Sequence, residues 1–508
     1  MLLAALRSRE RSFVEMTVDA FSSALALAGA VRRREIGCEE LLDLYLGRVK
    51  SFNAEINAII VLDEDRARKR ARDADAAVAA GKHWGPLHGL PMTVKESFNI
   101  EGLPTTFGFT DFRNNIALKD AVAVARLKSN GAVIFGKTNV PPALADAQSA
   151  NEVYGRTNHP WHLERTPGGS SGGSAAALAA GLTGLELGSD IASSIRNPAH
   201  YCGIFGHKPT HGICSPEGHA LRPRFSQSDI SAVGPMARSA FDLEEELRVL
   251  ADPPGVSRGS ATPTLPESKK KSLKDYRVGL VVNDAYAEVD SAVEKSLWEL
   301  GDFLRAQGAT VDVGAKPNLD SRRTHVVYEL LMRAAISQGI SDAEFAAFQR
   351  QKEKPAVELS DMREMIIQGM TMSHREWLLL NEERMAMREK WLEYFDRYDL
   401  LLCPVLASAA FPHDRRPPAQ RTLLVNGQEI PFGTQLYWAG YAGAFFLPAT
   451  VAPIGLSQEG LPIGVQIVGN AYDDLNCLRF AQLLERNYRG FVPPPRYAAG
   501  SQQTRSPN

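Results

Sequence analysis

Short apolar runs of strand length recur along the whole chain, separated by longer stretches of helical character. This alternation limits the fold more than any other feature. The runs cover residues 90–94, 132–135, 278–282, 310–313, 400–402 and 464–468. Each reads as a buried strand, and strands alternating with helices predict an α/β fold, a sheet covered by helices on both faces. Residues 18–52 predict two helices, because Leu41, Leu42, Tyr45, Leu46 and Val49 recur at helical spacing. The Ala- and charge-rich stretch 63–80 predicts an exposed helix. Over 375–398, Leu380, Met387, Trp391, Tyr394 and Tyr398 fall on one stripe of a helix, a pattern of core contact. Residues 253–272, rich in Pro, Ser, Gly and Lys, predict a surface loop.

Composition removes several classes of function. The chain has 508 residues, with 57 Lys and Arg against 59 Asp and Glu, so its charge gives no reason to expect a nucleic-acid partner or an anionic membrane surface. No window offers ~18 consecutive apolar residues, and no membrane span is expected. The five cysteines, Cys38, Cys202, Cys214, Cys403 and Cys477, are odd in number and show no C-x-x-C spacing, which argues against a disulfide scaffold or a cysteine zinc site. Residues 1–15 carry a very short apolar stretch followed by charges, too short for a signal-peptide core. They read as a leader, residues 16–500 as the folded domain, 501–508 as a tail, and the expected location is cytoplasmic.

The densest anomaly is TPGGSSGGSAAALAAGLTGLELGSDIASSIRNP, residues 166–198. After its proline the opening is Gly and Ser only, and an apolar helix is expected over 175–180 with Ser174 as its N-cap. A flexible linker would not lead straight into such a helix. A phosphate-binding loop needs G-x-x-x-x-G-K-[ST], which is missing. Gly168, Ser170 and Gly172 match G-x-S-x-G, but a nucleophile elbow follows a buried strand, and NHPWHLERTP is not one.

With these blocks in view the chain resembles the amidase signature family. The resemblance rests on GGSSGG (168–173), GSDIASSIRNPA (188–199), LPMTVKESFNIEGLPTT (90–106), GKTN (136–139), CGIFGHKPT (202–210) and the late LPATVAPIG…GLPIGVQIVG (447–469). It spans residues 20 to 490. It implies one domain built on a large mixed sheet flanked by helices, and a Ser–Ser–Lys apparatus whose middle serine follows a cis peptide bond. By position, Lys95 takes the place of the lysine, Ser170 of the middle serine and Ser194 of the nucleophile. Ile191, Ala192 and Ser193 take the place of the oxyanion hole. Ser171, Asp190 and Arg196 are supporting groups.

The residue types suit acyl transfer. A serine hydroxyl needs a base within hydrogen-bond reach. A lysine can serve when burial keeps its amine neutral, and Lys95 ends an apolar run. An intermediate hydroxyl, Ser170, both donates and accepts and so can relay the proton. Backbone N–H groups beside the nucleophile would stabilise the oxyanion. Here the chain departs from the resemblance, since Ala192 and Ser193 stand where two glycines are usual, and side chains disfavour positive φ. Asp190 and Arg196 are expected to pair and stiffen the loop, worth ~0–1 kcal/mol at a surface.

The resemblance implies an amidohydrolase, and with no H-E-x-x-H and no Cys/His cluster of zinc spacing in the sequence no metal or cofactor is expected. His200, His207, His211 and His219 lie close in sequence but read as structural. After GKTN the chain again departs, with Val140, Pro141 and Pro142 in place of an acidic and a bulky residue. A helical segment over about 325–398 is expected to act as a lid over an apolar pocket, with Trp438, Tyr441, Phe445 and Phe446 lining it. The expected substrate is therefore a small-molecule amide bearing a fairly bulky apolar or aryl group. Carbamate hydrolysis (a urethanase), ester hydrolysis, and the catalytic subunit of a tRNA-dependent amidotransferase remain alternatives. A homodimer is left open.

Overall fold

The apolar runs become strands of one sheet. The computed structural model describes residues 18–224, 226–251, 265–352 and 362–498. Among the described residues an eleven-stranded mixed sheet is flanked by fourteen α-helices in a single domain. Across the sheet the order is Ile59–Leu62, Val133–Thr138, Pro91–Lys95, Glu186–Asp190, Ala232–Ala237, Phe205–Lys208, Ala449–Leu456, Pro462–Val468, Leu400–Pro404, Arg277–Leu280 and Thr310–Val313. The leader expected over 1–15 and the tail over 501–508 lie outside the described residues. So does most of the expected loop 253–272, of which residues 265–272 carry no helix or strand.

Each of the six expected runs overlaps a strand, but one expectation of burial is corrected. Thr310–Val313 pairs only with Arg277–Leu280 at the sheet's edge, and Val313 is 42% exposed. The expected helices appear as Ala24–Arg32, Cys38–Ile56, Glu64–Ala79 and His374–Phe395. The last stops short of Tyr398, and Leu380, Met387, Trp391 and Tyr394 are its buried stripe. No helix among the described residues is long and apolar enough to cross a membrane.

Two sheet relationships prepare the site. Pro91–Lys95 and Glu186–Asp190 are parallel neighbours, with Thr93 opposite Glu186 and Val94 opposite Leu187. Their C-terminal ends therefore open on the same edge of the sheet, where ligands gather in open α/β sheets. Between them in sequence lies the helix Gly172–Ala179, buried on every side. Its first two positions leave no room for a side chain. A Cβ on Gly172 would stand 2.5 Å from Ser149 Oγ, and one on Gly173 2.3 Å from Asn139 N. The Gly-rich run is thus a close approach of backbones, not a linker.

Candidate active site

Lys95 closes its strand with no exposed surface. Its Nζ donates to Ser170 Oγ at 2.7 Å, to Ser189 Oγ at 2.9 Å and to Ser189 O at 3.3 Å. Burial pulls its pKa down to about 7, against the opposing pull of Asp190 and Glu186. Removing an ammonium from water disfavours the charged form, and among the described residues no carboxylate touches Nζ to restore it. The amine can therefore be neutral near pH 7 and take a proton from a hydroxyl beside it.

Ser170 is 1% exposed and follows a cis peptide bond from Gly169. Ser194 is 5% exposed. The loops bearing them are stitched together. Ser171 N donates to Ser194 O at 3.2 Å. Asn197 receives the Gly169 N–H on Oδ1 at 3.0 Å, and its Nδ2 donates to Gly169 O and to Ser193 O. Ser171 Oγ donates to Ser189 O at 3.4 Å. The expected cap is corrected here. The helix begins at Gly172 with Ser171 in the cap position, and Ser174 lies inside it, its hydroxyl 2.8 Å from Thr138 Oγ1.

Asp190 and Arg196 form a buried pair, not a surface one, with both side chains fully covered. The Asp190 carboxylate accepts Arg196 Nε and Nη2, each at 2.9 Å, and the backbone N–H groups of Ser193, Ile195 and Arg196. Burial alone would raise its pKa, but the guanidinium and these donors prevail and bring it down to about 2. Arg196 Nη1 continues to Ala439 O at 2.9 Å and Gln466 Oε1 at 2.6 Å. With four partners on the guanidinium and five donors on the carboxylate, the charges are compensated, which a buried pair requires.

The three expected oxyanion donors are not equivalent. Ser193 N–H is donated to Asp190 Oδ1 at 2.9 Å, so that amide holds the loop instead of facing a ligand. The amides of Ile191 and Ala192 are not drawn into that carboxylate. Ser193 takes φ +72°, the left-handed region, although it carries a side chain, and its buried Oγ has no partner among the described residues. Ile191 O accepts the Tyr328 hydroxyl at 3.0 Å.

The four expected pocket aromatics divide. Trp438, Tyr441 and Phe445 are buried, and Trp391 packs against Tyr441 and Phe445 with ring centroids 5.8 Å away in each case. Phe446 is partly exposed, its ring between His211 at 4.8 Å and the guanidinium of Arg384 at 4.4 Å. The histidines expected to be structural are held by the scaffold. His200 bridges Ser408 O and Gly464 N, His207 bridges Thr450 and Asp474, His211 meets Ser228 O, and His219 meets Ser97 Oγ.

Sequence reasoning missed Ser189, Asn197 and Tyr328. Ser189 had a usable signal, since it directly precedes Asp190 in the Gly/Ser block. Asn197 shares that block with its partners Gly169 and Ser193, whereas Tyr328 had no signal, because its partner Ile191 lies 137 residues away.

Residues 40–478 match the family model described as Amidase. The chain is 30% identical over 491 residues to fatty-acid amide hydrolase 2 of Homo sapiens, spanning 94% of this chain and 90% of that protein. It is 32% identical over 488 residues to a glutamyl-tRNA(Gln) amidotransferase subunit of Roseiflexus sp. (strain RS-1), spanning 90% of this chain and 94% of that one. A solved structure described as the crystal structure of amidase superposes with a TM-score of 0.75 at 26% identity, covering 92% of this chain and all of that one.

Proposed function

Because the chain belongs to the amidase family and is an amide-hydrolysing enzyme, we propose that it cleaves the C–N bond of a fairly bulky apolar or aryl amide through an acyl-enzyme on Ser194. The observation that carries this reading is the 2.7 Å contact between the buried Lys95 amine and Ser170 Oγ. With the amine neutral, its lone pair faces the Ser170 proton while its two N–H bonds go to Ser189 O and Oγ.

Ser194 Oγ attacks the carbonyl carbon. Its proton passes to Ser170 Oγ, and the Ser170 proton passes to Lys95 Nζ. The carbonyl π electrons move to oxygen, and the amides of Ile191 and Ala192 receive that charge. Collapse of the intermediate breaks the C–N bond, and the ammonium returns its proton through Ser170 to the leaving nitrogen. Water, activated by the same relay, then hydrolyses the ester. Asp190, Arg196 and Ser171 keep the two serine loops in register.

The apolar preference is supported by the likeness to a fatty-acid amide hydrolase and by the partly exposed Phe446. Within the expected lid 325–398, of which residues 353–361 lie outside the described residues, the helices Ser321–Ser337, Asp342–Lys352, Met362–Met370 and His374–Phe395 would cover that group. The 32% identity to a protein of a tRNA-dependent amidotransferase favours a second reading, in which the chain works within a complex. A panel of anilide, primary amide, carbamate and ester substrates, given to the purified chain alone, separates these readings. Turnover of aryl amides that is abolished by Ser194→Ala and by Lys95→Ala is expected. Restriction to short polar amides would overturn the substrate class, and full activity of Ser194→Ala would overturn the mechanism.

A further inference from the structure

Tyr328 stands in the helix Ser321–Ser337 with no exposed surface. Its hydroxyl donates to Ile191 O at 3.0 Å, across 137 residues of sequence. The ring is seated on the helix Leu436–Gly443, where a Cβ added to Gly440 or to Gly443 would lie 3.1 Å from a ring carbon. The ring occupies the room that these two glycines leave, so a side chain at either position would press on it and on the placement of its hydroxyl.

Ile191 C=O and Ala192 N–H belong to one peptide unit. That unit is planar, and in its trans form the two groups point in opposite directions. A bond that holds the carbonyl oxygen therefore also sets where the N–H aims. One residue further along, the Ser193 N–H is pinned to Asp190 at 2.9 Å. The Ile191–Ala192 unit thus lies between two anchors, a carboxylate from its own strand and a hydroxyl from a distant helix. A hydrogen bond accepted by a carbonyl also polarises the amide and strengthens its N–H as a donor.

We infer that Tyr328 is a positioning residue for the oxyanion hole: through Ile191 O it holds the Ala192 N–H toward the oxygen that gains charge when Ser194 attacks. The inference rests on Ser194 being the nucleophile. It makes the helical segment part of the reacting centre, because a shift of Ser321–Ser337 would turn the peptide that bears the donor.

The test needs no knowledge of the natural substrate. A fluorophosphonate reacts with an activated serine as the Ser–O–P bond forms and fluoride leaves, and its phosphoryl oxygen demands the same donors as a tetrahedral intermediate. The probe is applied to the full chain, to Tyr328→Phe and to Tyr45→Phe. Tyr45 supplies the control, since its buried hydroxyl also donates to a carbonyl, Ala20 O at 3.2 Å, from the helix Cys38–Ile56, outside the segment proposed to cover the substrate. In Tyr328→Phe the maximal labelling rate is expected to fall roughly ten- to a hundredfold, short of the ~10²–10³ for removing an oxyanion donor outright. Half-saturation should move less than about twofold, since the donor acts on the transition state. Tyr45→Phe should label like the unaltered chain. Gly440→Ala, which crowds the Tyr328 ring, should slow labelling in the same sense and keeps the question answerable if Tyr328→Phe melts early. Labelling of Ser194 at an unchanged rate in Tyr328→Phe, or a change in half-saturation alone, overturns the inference. Label recovered on a residue other than Ser194 overturns the reading beneath it, and the inference with it.

Discussion

Lys95 Nζ and Ser170 Oγ meet at 2.7 Å, and neither residue shows more than 1% of its surface to solvent. A lysine so placed would ordinarily be a liability. Here burial lowers its pKa toward neutrality, and three oxygens take up its hydrogen-bonding capacity.

Activity should therefore depend on a single deprotonation near neutral pH. With the Lys95 pKa lowered to about 7, the competent amine predominates above that value and disappears below it. A plot of kcat/KM against pH is expected to rise about tenfold per unit on the acid side and to level off above the pKa, since this ratio reports the free enzyme. A flat profile between pH 5 and 9 would contradict the assignment.

Ser189→Ala should shift that acid limb to lower pH. Ser189 Oγ accepts from Lys95 Nζ at 2.9 Å, and an acceptor stabilises an ammonium more than an amine. Its loss thus lowers the lysine pKa further. The plateau kcat should also fall, roughly tenfold, because the lone pair is then less firmly aimed at Ser170. Titration of activity in the variant measures both effects.

Arg196→Met is expected to destabilise the protein by about 3–5 kcal/mol, the range found when one partner of a buried pair is removed. Asp190 would remain fully covered with backbone donors alone. Chemical denaturation should show this as a lower midpoint at an unchanged slope.

Ser193→Gly should leave stability unchanged or raise it by ~1 kcal/mol. The residue sits at φ +72° and buries a hydroxyl without a partner among the described residues, and glycine removes both costs while giving back some entropy in the unfolded chain. A thermal melt decides this. A marked loss of stability would mean that the side chain makes a contact worth more than the backbone strain.

Strands of apolar composition were legible because burial on both faces demands such runs: Pro91–Lys95, Val133–Thr138 and Pro462–Val468 have no exposed residue. Glu186–Asp190 was not legible. Its sequence ELGSD has no apolar period, yet all five residues are buried, because neighbours on both sides supply the ladder and its polar side chains face internal partners. The pairing of Asp190 with Arg196 could be anticipated from spacing, but its burial could not, since Ala439 and Gln466 come from far along the chain.

The order and identity of the side chains proposed to react, Lys95, Ser170 and Ser194, are written in local motifs, because close backbone packing restricts the glycines and serines around them to a recognisable pattern. The environment that gives those side chains their chemistry is not written there. Withdrawal of Lys95 from water and the reach of Tyr328 to Ile191 O depend on which surfaces exclude solvent together. Desolvation and peptide orientation are properties of the packed assembly, so they exist only after segments distant in sequence have met.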